Sequence, residues 1–355
     1  MKTVVVSFKN RTTNADMRAE SEFINFLNEY TVYADKIIIL DEKSNNGLIE
    51  VLSSDFDLLF VLNSEEADFY VPSAVSKIYE PSSFDGFFGK DKTVSIVPKT
   101  FTGKYRKPLE ELLVKKFNVG FGKITFKLFG TSTEEVLSVA NGISADNPSV
   151  YFNVSSDFGD IKATLIYSDY APKKQVDSAV KEFILRLKNH VYAEDDVTLP
   201  KRLLDVAKLR KQKICTAESM TGGKIASKIV SISGASDVFY EGLVTYNTLA
   251  KERRLGVKHS TVVQHTVVSE AVAYEMAKGL LEQKNCTLAI TITGYAGSDV
   301  HPSEDDGLCF IAVGAEGKIQ VYKYRFKGTR EENVEKASNA ALFLAIKTIE
   351  NLDSL

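Results

Sequence analysis

Apolar runs and amphipathic stretches alternate along the first third of the chain. Residues 3–6, 36–40 and 57–62 are short, β-rich and almost continuously apolar. The stretch 19–30 between the first two has apolar positions at helical spacing instead. Continuous apolar strands separated by helices are typical of a parallel sheet that is covered on both faces. Residues 1–121 are therefore predicted to form an α/β domain.

The pattern changes in the next 80 residues. A strand at 124–130 precedes a helix that carries Glu134 and Glu135 in its first turn. Two strands, 149–155 and 161–167, then flank a short polar turn, and a helix follows at 174–188. This order of strand, helix, two strands and helix predicts a small α+β module over residues 122–199.

Regular alternation returns from residue 200 onward. Apolar strands are predicted at 213–215, 241–246 and 287–293, with amphipathic helices between them. Residues 308–314 and 319–326 then read as an antiparallel pair before a terminal helix at about 330–349. The whole chain is thus predicted to be α/β in class with three domains, and the last domain, 200–355, has a mixed sheet.

Composition narrows the classes of function. The 355 residues carry a formal net charge of -3, whereas a nucleic-acid-binding protein usually presents a basic face. The start of the chain turns polar by Asn10, and no run reaches the roughly 18 apolar residues of a membrane span. Three widely spaced cysteines are typical of buried free thiols in a reducing compartment. We therefore expect a cytoplasmic protein that contacts neither membrane nor nucleic acid.

Metal chemistry has little support in the sequence. The four histidines form no ligand-spaced pair on a helix or with a cysteine. Spacing alone leaves a magnesium site built only from carboxylates open. The prediction is no metal site.

The loop at residues 216–223, Thr-Ala-Glu-Ser-Met-Thr-Gly-Gly, is the strongest candidate for chemistry. It lies between a short apolar strand and a helix, where free backbone N–H groups and the positive end of the helix dipole meet. Ser219 is then either a nucleophile or only the residue that caps the helix. The amides of Thr221, Gly222 and Gly223 suit an oxyanion or a phosphate, although a tight turn explains the glycines equally well.

Three further positions in the last domain carry polar chemistry. Tyr246 ends a strand and Lys251 lies one turn into the next helix, so the pair is either surface packing or a means of activating a serine. With no histidine near the loop in sequence, a Ser/Lys or Ser/Tyr/Lys arrangement is favoured over Ser/His/Asp. Thr293 and Gly294 end an apolar strand, where open α/β sheets place ligand contacts. Arg330 either clasps a phosphate or is a solvated charge at a helix start.

Residues from about 203 to 352 resemble the C-terminal domain of the competence/damage-inducible CinA family. The shared motifs follow in family order, and so many short matches over about 150 residues are specific. They are T-A-E-S-x-T-G-G at 216–223, G-A-S at 234–236, V-x-Y-x-x-x-A-K at 244–251, L-G-V at 255–257, V-S-E at 268–270, T-G-x-A-G at 293–297 and F-x-G-x-R at 326–330.

The resemblance implies a nicotinamide mononucleotide deamidase, which hydrolyses the carboxamide to nicotinic acid mononucleotide and ammonia without a cofactor. It implies that Ser219 is the nucleophile and that Tyr246 and Lys251 handle its proton. The predicted substrate-binding residues are Glu218, Thr221, Gly222, Gly223, Thr293, Gly294 and Arg330. A non-catalytic nucleotide-binding or partner-binding protein is the alternative, and an ADP-ribose pyrophosphatase acting through the N-terminal domain is a third, less favoured one. A homo-oligomer, most simply a dimer, is expected.

Upstream of residue 200 the resemblance is thinner. Residues 1–121 occupy the place of the family's molybdopterin-binding-like domain, which is associated with ADP-ribose pyrophosphatase activity. Here 63–66 replace a glycine-rich loop, and 97–100 replace a second one that is rich in proline and glycine. Two glutamates would repel phosphate, so this domain is predicted to be structural or dimer-forming.

The C-terminal domain also departs from the family pattern. Met220 replaces a small cysteine beside the predicted nucleophile, and Asn247–Leu249 replace S-N-E. The family loop that corresponds to 298–309 loses glycines and a lysine here and gains acidic residues. These exchanges bear on substrate preference more than on the fold.

Overall fold

A computed structural model describes residues 2–9, 17–28, 30, 32–63, 70–81, 87–89, 92–98, 103–117, 121–168, 170–297 and 305–352. Residues 64–66, 99–100 and 298–304 of the altered loops therefore lie outside the described part. The chain divides into two compact units, 1–122 with 166–171, and 123–165 with 172–355. The predicted boundary at residue 199 falls inside the second unit and stays a prediction, as does the one at 121. No helix in the described ranges is long and apolar enough to cross a bilayer.

The first unit contains a five-stranded sheet in the order β2-β1-β3-β5-β4. All its strand pairs are parallel except that of β4 with β5. Its strands are β1 (Thr3–Lys9), β2 (Lys36–Asp41), β3 (Leu58–Asn63), β4 (Phe87–Phe88) and β5 (Thr93–Pro98), and its helices are α1 (Arg18–Asn28), α2 (Asn45–Leu52), α3 (Val71–Ser76) and α4 (Gly103–Phe117).

Strands β1 and β3 at the centre of this sheet are buried on both faces, which explains their continuous apolar runs. Val5 packs with Phe23 of α1 in one apolar cluster. Val4 and Val6, whose side chains point to the opposite face, pack with Leu48 of α2 in another. The prediction of an α/β sheet covered on both sides is confirmed.

A four-stranded sheet in the order β7-β8-β6-β9 follows. Its elements are β6 (Phe121–Leu128), α5 (Thr133–Asp146), β7 (Val150–Asp157), β8 (Asp160–Ser168), α6 (Lys173–Leu187) and β9 (Val191–Ala193). Ser132 caps α5 by accepting a hydrogen bond from the Glu135 N–H. The three-residue strand β9 was not predicted, because three residues are too few for an alternation to be recognised.

The third sheet has the order β11-β10-β12-β13-β14. Strand β10 is parallel to β11 and β12, whereas β13 is antiparallel to β12 and β14, so the predicted mixed sheet is confirmed. The strands are β10 (Ile214–Glu218), β11 (Phe239–Val244), β12 (Leu288–Gly294), β13 (Leu308–Ala315) and β14 (Lys318–Arg325). The helices are α7 (Leu199–Leu209), α8 (Lys224–Val230), α9 (Thr248–Leu255), α10 (His259–His265), α11 (Glu270–Glu282) and α12 (Arg330–Glu350), and a single 3-10 turn covers Ala235–Asp237.

The parallel centre of the third sheet sets the position of the candidate site. Strands β11, β10 and β12 are neighbours and run the same way, so their carboxyl ends lie at one edge. Ser219, Thr245 and Gly294 lie at or just beyond these three ends. All three cysteines of the chain are buried free thiols, as predicted.

Candidate active site

The turn after β10 is held by a carboxylate. Glu218 is 1% exposed, and its two oxygens accept hydrogen bonds from the N–H groups of Gly223, Ile225 and Ala226, at 3.0, 3.1 and 2.8 Å. These are the first amides of α8, which have no partner within the helix itself. Glu218 therefore does the capping, and Ser219 is not the helix cap. The carboxylate is turned to the helix and shapes the loop, while its predicted contact with substrate stays a prediction.

Ser219 and Lys251 form a close pair. Lys251 Nζ lies 2.9 Å from Ser219 Oγ and donates to the carbonyl oxygens of Thr245, at 2.7 Å, and Tyr246, at 3.2 Å. The lysine comes from the first turns of α9, which begins directly after the Asn247 cap. Residues 32 positions apart are thus joined because β10 and β11 are adjacent and parallel.

Burial changes the chemistry of Lys251. The side chain is 1% exposed, and no carboxylate forms an ion pair with it in the described part of the chain. Desolvation of the ammonium form lowers the pKa of Lys251 from 10.5 to about 8. A lysine of that pKa loses its proton readily near neutral pH and is able to accept one from a neighbouring hydroxyl.

Tyr246 and Arg330 meet at the mouth of the site. Arg330 Nη2 lies 3.3 Å from Tyr246 Oη, and Arg330 Nη1 donates to Gly297 O at 2.9 Å. Tyr246 is 60% exposed, so its ring forms part of the surface. Its direct link to Lys251 runs through its backbone carbonyl rather than its hydroxyl. The predicted proton-handling role of the Tyr246 hydroxyl stays a prediction.

These residues surround a cavity of about 330 Å³. Of the ten predicted site residues, the structure brings six to its lining, namely Ser219, Tyr246, Lys251, Thr293, Gly294 and Arg330. The other four, Glu218, Thr221, Gly222 and Gly223, form the turn behind it. Whether any of the ten contacts substrate stays a prediction. The buried Thr293 donates its hydroxyl to Val267 O at 2.9 Å.

The turn leaves few amides for a developing negative charge. The Gly222 N–H donates to Ser219 O and the Gly223 N–H to Glu218, so neither is available as the sequence suggested. The two glycines instead allow the left-handed turn, with φ of +60° and +99°. Among the described residues no acceptor lies within reach of the Met220 or Thr221 N–H. Of these two residues only Met220 lines the cavity.

Several residues at the site were not predicted. Met220 packs so closely on Gly294 that a Cβ at that glycine would lie 2.4 Å from the methionine sulfur. Asn333 is 1% exposed and donates to Ala296 O and Gly328 O, which ties together the two loops that carry Gly297 and Arg330. It lies on the buried side of α12 among mostly apolar residues, where Ser338 and Asn339 are also buried, so polar residues on that side of the helix were a usable signal. Asp306 also lines the cavity.

A larger groove of about 1020 Å³ lies elsewhere, between α11 and the outer strands β13 and β14. Its charges are mixed, with Lys258, Glu275, Lys278 and Lys323 among them. Ser269 in this groove is occupied as the cap of α11. The described lining includes no nucleophile next to a base, so size alone does not make this groove the active site.

Residues 196–349 match the family model described as the CinA C-terminal domain. A putative competence-damage inducible protein of Finegoldia magna is 34% identical over 211 residues, 59% of this chain and 50% of the relative. A putative competence-damage inducible protein of Clostridium beijerinckii is 39% identical over 160 residues, which are 45% of this chain and 39% of the relative. The matched region thus spans half or less of the length of these relatives.

Solved structures also match part of the chain. A CinA superfamily protein from Klebsiella pneumoniae is 31% identical, covers 43% of this chain and 96% of its own, and has a TM-score of 0.41. A CinA superfamily protein from Escherichia coli is also 31% identical. The match covers 42% of this chain and 88% of the Escherichia coli chain, with a TM-score of 0.40. The family model and the curated relatives carry the assignment: through its C-terminal region, the chain belongs to the CinA family.

Proposed function

We propose that the chain is a nicotinamide-nucleotide amidohydrolase that converts nicotinamide mononucleotide to nicotinic acid mononucleotide and ammonia. One observation carries the proposal: a buried Lys251 amine with a pKa of about 8 lies 2.9 Å from Ser219 Oγ. A serine hydroxyl is a weak nucleophile until a neighbouring base takes its proton. A solvated surface lysine would not serve, because its pKa would keep it protonated at neutral pH.

The first half of the reaction forms an acyl-enzyme. The neutral Lys251 amine takes the Ser219 proton while Oγ attacks the carboxamide carbon and the C=O electrons move to oxygen. The tetrahedral intermediate then collapses: the C–N bond breaks, and the nitrogen receives the proton from the Lys251 ammonium and leaves as ammonia. The second half repeats these steps with water, which gives the free carboxylate and restores both residues.

Negative charge on the intermediate requires a donor. The Met220 N–H follows the nucleophile directly and has no acceptor among the described residues. An amide in this position is suited to an oxyanion, because its dipole is already oriented before the reaction begins. Glu218 supports it indirectly, since its three hydrogen bonds fix the turn to which that amide belongs.

The proposal is tested by incubating the purified chain with nicotinamide mononucleotide and measuring both ammonia and nicotinic acid mononucleotide. Ser219→Ala is expected to abolish release. Ser227→Ala is the matched control, because Ser227 is exposed on α8 and does not line the cavity. Rapid quenching with intact-mass measurement is expected to show an adduct equal to substrate minus ammonia on the wild type and on Ser227→Ala, and none on Ser219→Ala.

Two outcomes contradict the proposal. Full ammonia release by Ser219→Ala would exclude Ser219 as the nucleophile. Tight nucleotide binding by calorimetry with no release from the wild type would instead favour the non-catalytic binding protein.

A further inference from the structure

Asp306 and Arg330 approach the same backbone segment at the rim of the cavity. Arg330 Nη1 donates to Gly297 O at 2.9 Å, and both charged side chains line the cavity. A Cβ placed on Gly297 would lie 3.5 Å from Asp306 Cγ and 3.6 Å from Asp306 Cβ. The carboxylate and the guanidinium therefore both border Gly297, and a ligand group held there meets charges of both signs.

The backbone around Asp306 is fixed. The Gly307 N–H donates to Tyr295 O at 2.8 Å, and the Leu308 N–H donates to Asp305 O at 3.0 Å. Gly307 has φ of +77°, and a Cβ there would lie 1.9 Å from Phe326 O, so only glycine fits this turn. Asp306 is thus held at the rim by hydrogen bonds of the residues on either side of it, Asp305 and Gly307.

The cations of the cavity are largely engaged within the protein. Lys251 Nζ is bound to Ser219 and to two carbonyls, and Arg330 already donates to Gly297 O and Tyr246 Oη. Within the described lining Asp306 is the only carboxylate. A phosphate dianion beside Arg330 would also lie close to that carboxylate, and like charges at such separations repel appreciably.

We propose that Asp306 is a specificity-determining residue that disfavours a phosphorylated substrate relative to the unphosphorylated nucleoside. The inference rests on the proposed amidohydrolase function and names its substrate class more finely. Nicotinamide riboside carries a cationic pyridinium ring and no phosphate. Nicotinamide mononucleotide carries the same cationic ring, so the carboxylate attracts the ring of both substrates and opposes only the phosphate dianion of the mononucleotide.

The test compares the two substrates in the wild type, Asp306→Asn and Asp305→Asn. Asp305 is the matched control, because its carboxylate lies 3.6 Å from Arg325 and does not line the cavity. Asp306→Asn is expected to raise kcat/KM for the mononucleotide relative to the riboside by about tenfold or more at low salt. The gain is expected to shrink at 1 M salt, where exposed charges are screened. Asp305→Asn is expected to leave the ratio unchanged.

Calorimetry in a Ser219→Ala background separates this inference from the proposed function. Binding of each substrate is measured with and without Asp306→Asn, and the same shift in the ratio of Kd values is expected. If ammonia is released but neither ratio changes by more than about twofold, the specificity role of Asp306 is wrong while the reaction stands. If the Kd ratio shifts but no ammonia appears, Asp306 still selects against phosphate and only the reaction is wrong.

Discussion

The pH dependence of turnover provides the most direct test of the serine–lysine pair. Lys251 accepts the Ser219 proton only when its amine is neutral, and burial lowers its pKa to about 8. At pH 7 the neutral fraction is then about 9%, against about 0.03% for a lysine of ordinary pKa. Burial alone therefore raises the population of the reactive form about 300-fold at neutral pH.

The direction of the pH effect follows from the base role. Since the protonated amine is inactive, kcat/KM is expected to rise with pH and to level off above pH 8. From pH 6 to pH 9 the neutral fraction grows from about 1% to about 90%, so the expected gain is about 90-fold. Initial rates of ammonia release between pH 6 and pH 9, at constant ionic strength and low substrate, measure it.

The Lys251→Arg variant tests whether the neutral amine of Lys251 is the cause of the pH dependence. Arginine keeps a positive charge over this whole range, so it preserves donors but cannot accept the serine proton. We expect no measurable release at any pH, whereas the exposed control Lys278→Arg keeps the wild-type profile. A wild-type rate that falls as pH rises toward 8, or a Lys251→Arg variant with substantial activity, would refute the reasoning.

Substitutions at three further positions test the surrounding structure. Glu218→Ala removes the acceptor of three helix amides and is expected to lower the free energy of unfolding by about 2–4 kcal/mol, with Glu218→Gln in between; unchanged thermal unfolding of both would contradict the capping role. Gly294→Ala places a Cβ 2.5 Å from Cys309 Cβ and 2.7 Å from Leu308 O. It is expected to cost about 1–3 kcal/mol in denaturant unfolding, and a neutral result would show that β13 shifts easily. Tyr246→Phe keeps the carbonyl that Lys251 contacts but loses the hydroxyl bonded to Arg330, so KM is expected to rise while the pH midpoint stays near that of the wild type. A displaced midpoint would show that the hydroxyl takes part in proton transfer.

The local pattern of apolar and polar residues was sufficient to predict most of the helices and strands, but not all of them. Buried strands such as β1 and β3 are almost continuous apolar runs, because both of their faces are covered, and a run of that kind is visible in sequence. Helices α3 and α10 and strands β4 and β9 were missed. Helix α10 has no buried residue, so it carries no apolar stripe, and β9 has only three residues. Their existence depends on neighbours rather than on their own pattern.

The roles of the polar residues were harder to predict than the elements. Ser219 and Glu218 are adjacent in sequence and both suit a helix start, so sequence could not say which one caps α8. The structure selects Glu218 because a carboxylate on the last residue of β10 reaches three amides at once. Similarly, Asn333 and Asp306 become site residues only because loops far apart in sequence converge on the cavity.

By itself the sequence determined the α/β class, the alternation of elements and the loop that carries Ser219, since these follow from burial patterns and turn chemistry over a few residues. Only the tertiary structure decided that Lys251 reaches Ser219, that its amine is desolvated and that Asp306 shares a rim with Arg330. The physical reason is that distance, burial and electrostatic field depend on which strands are neighbours. That order, β11-β10-β12, is a property of the whole sheet rather than of any one segment.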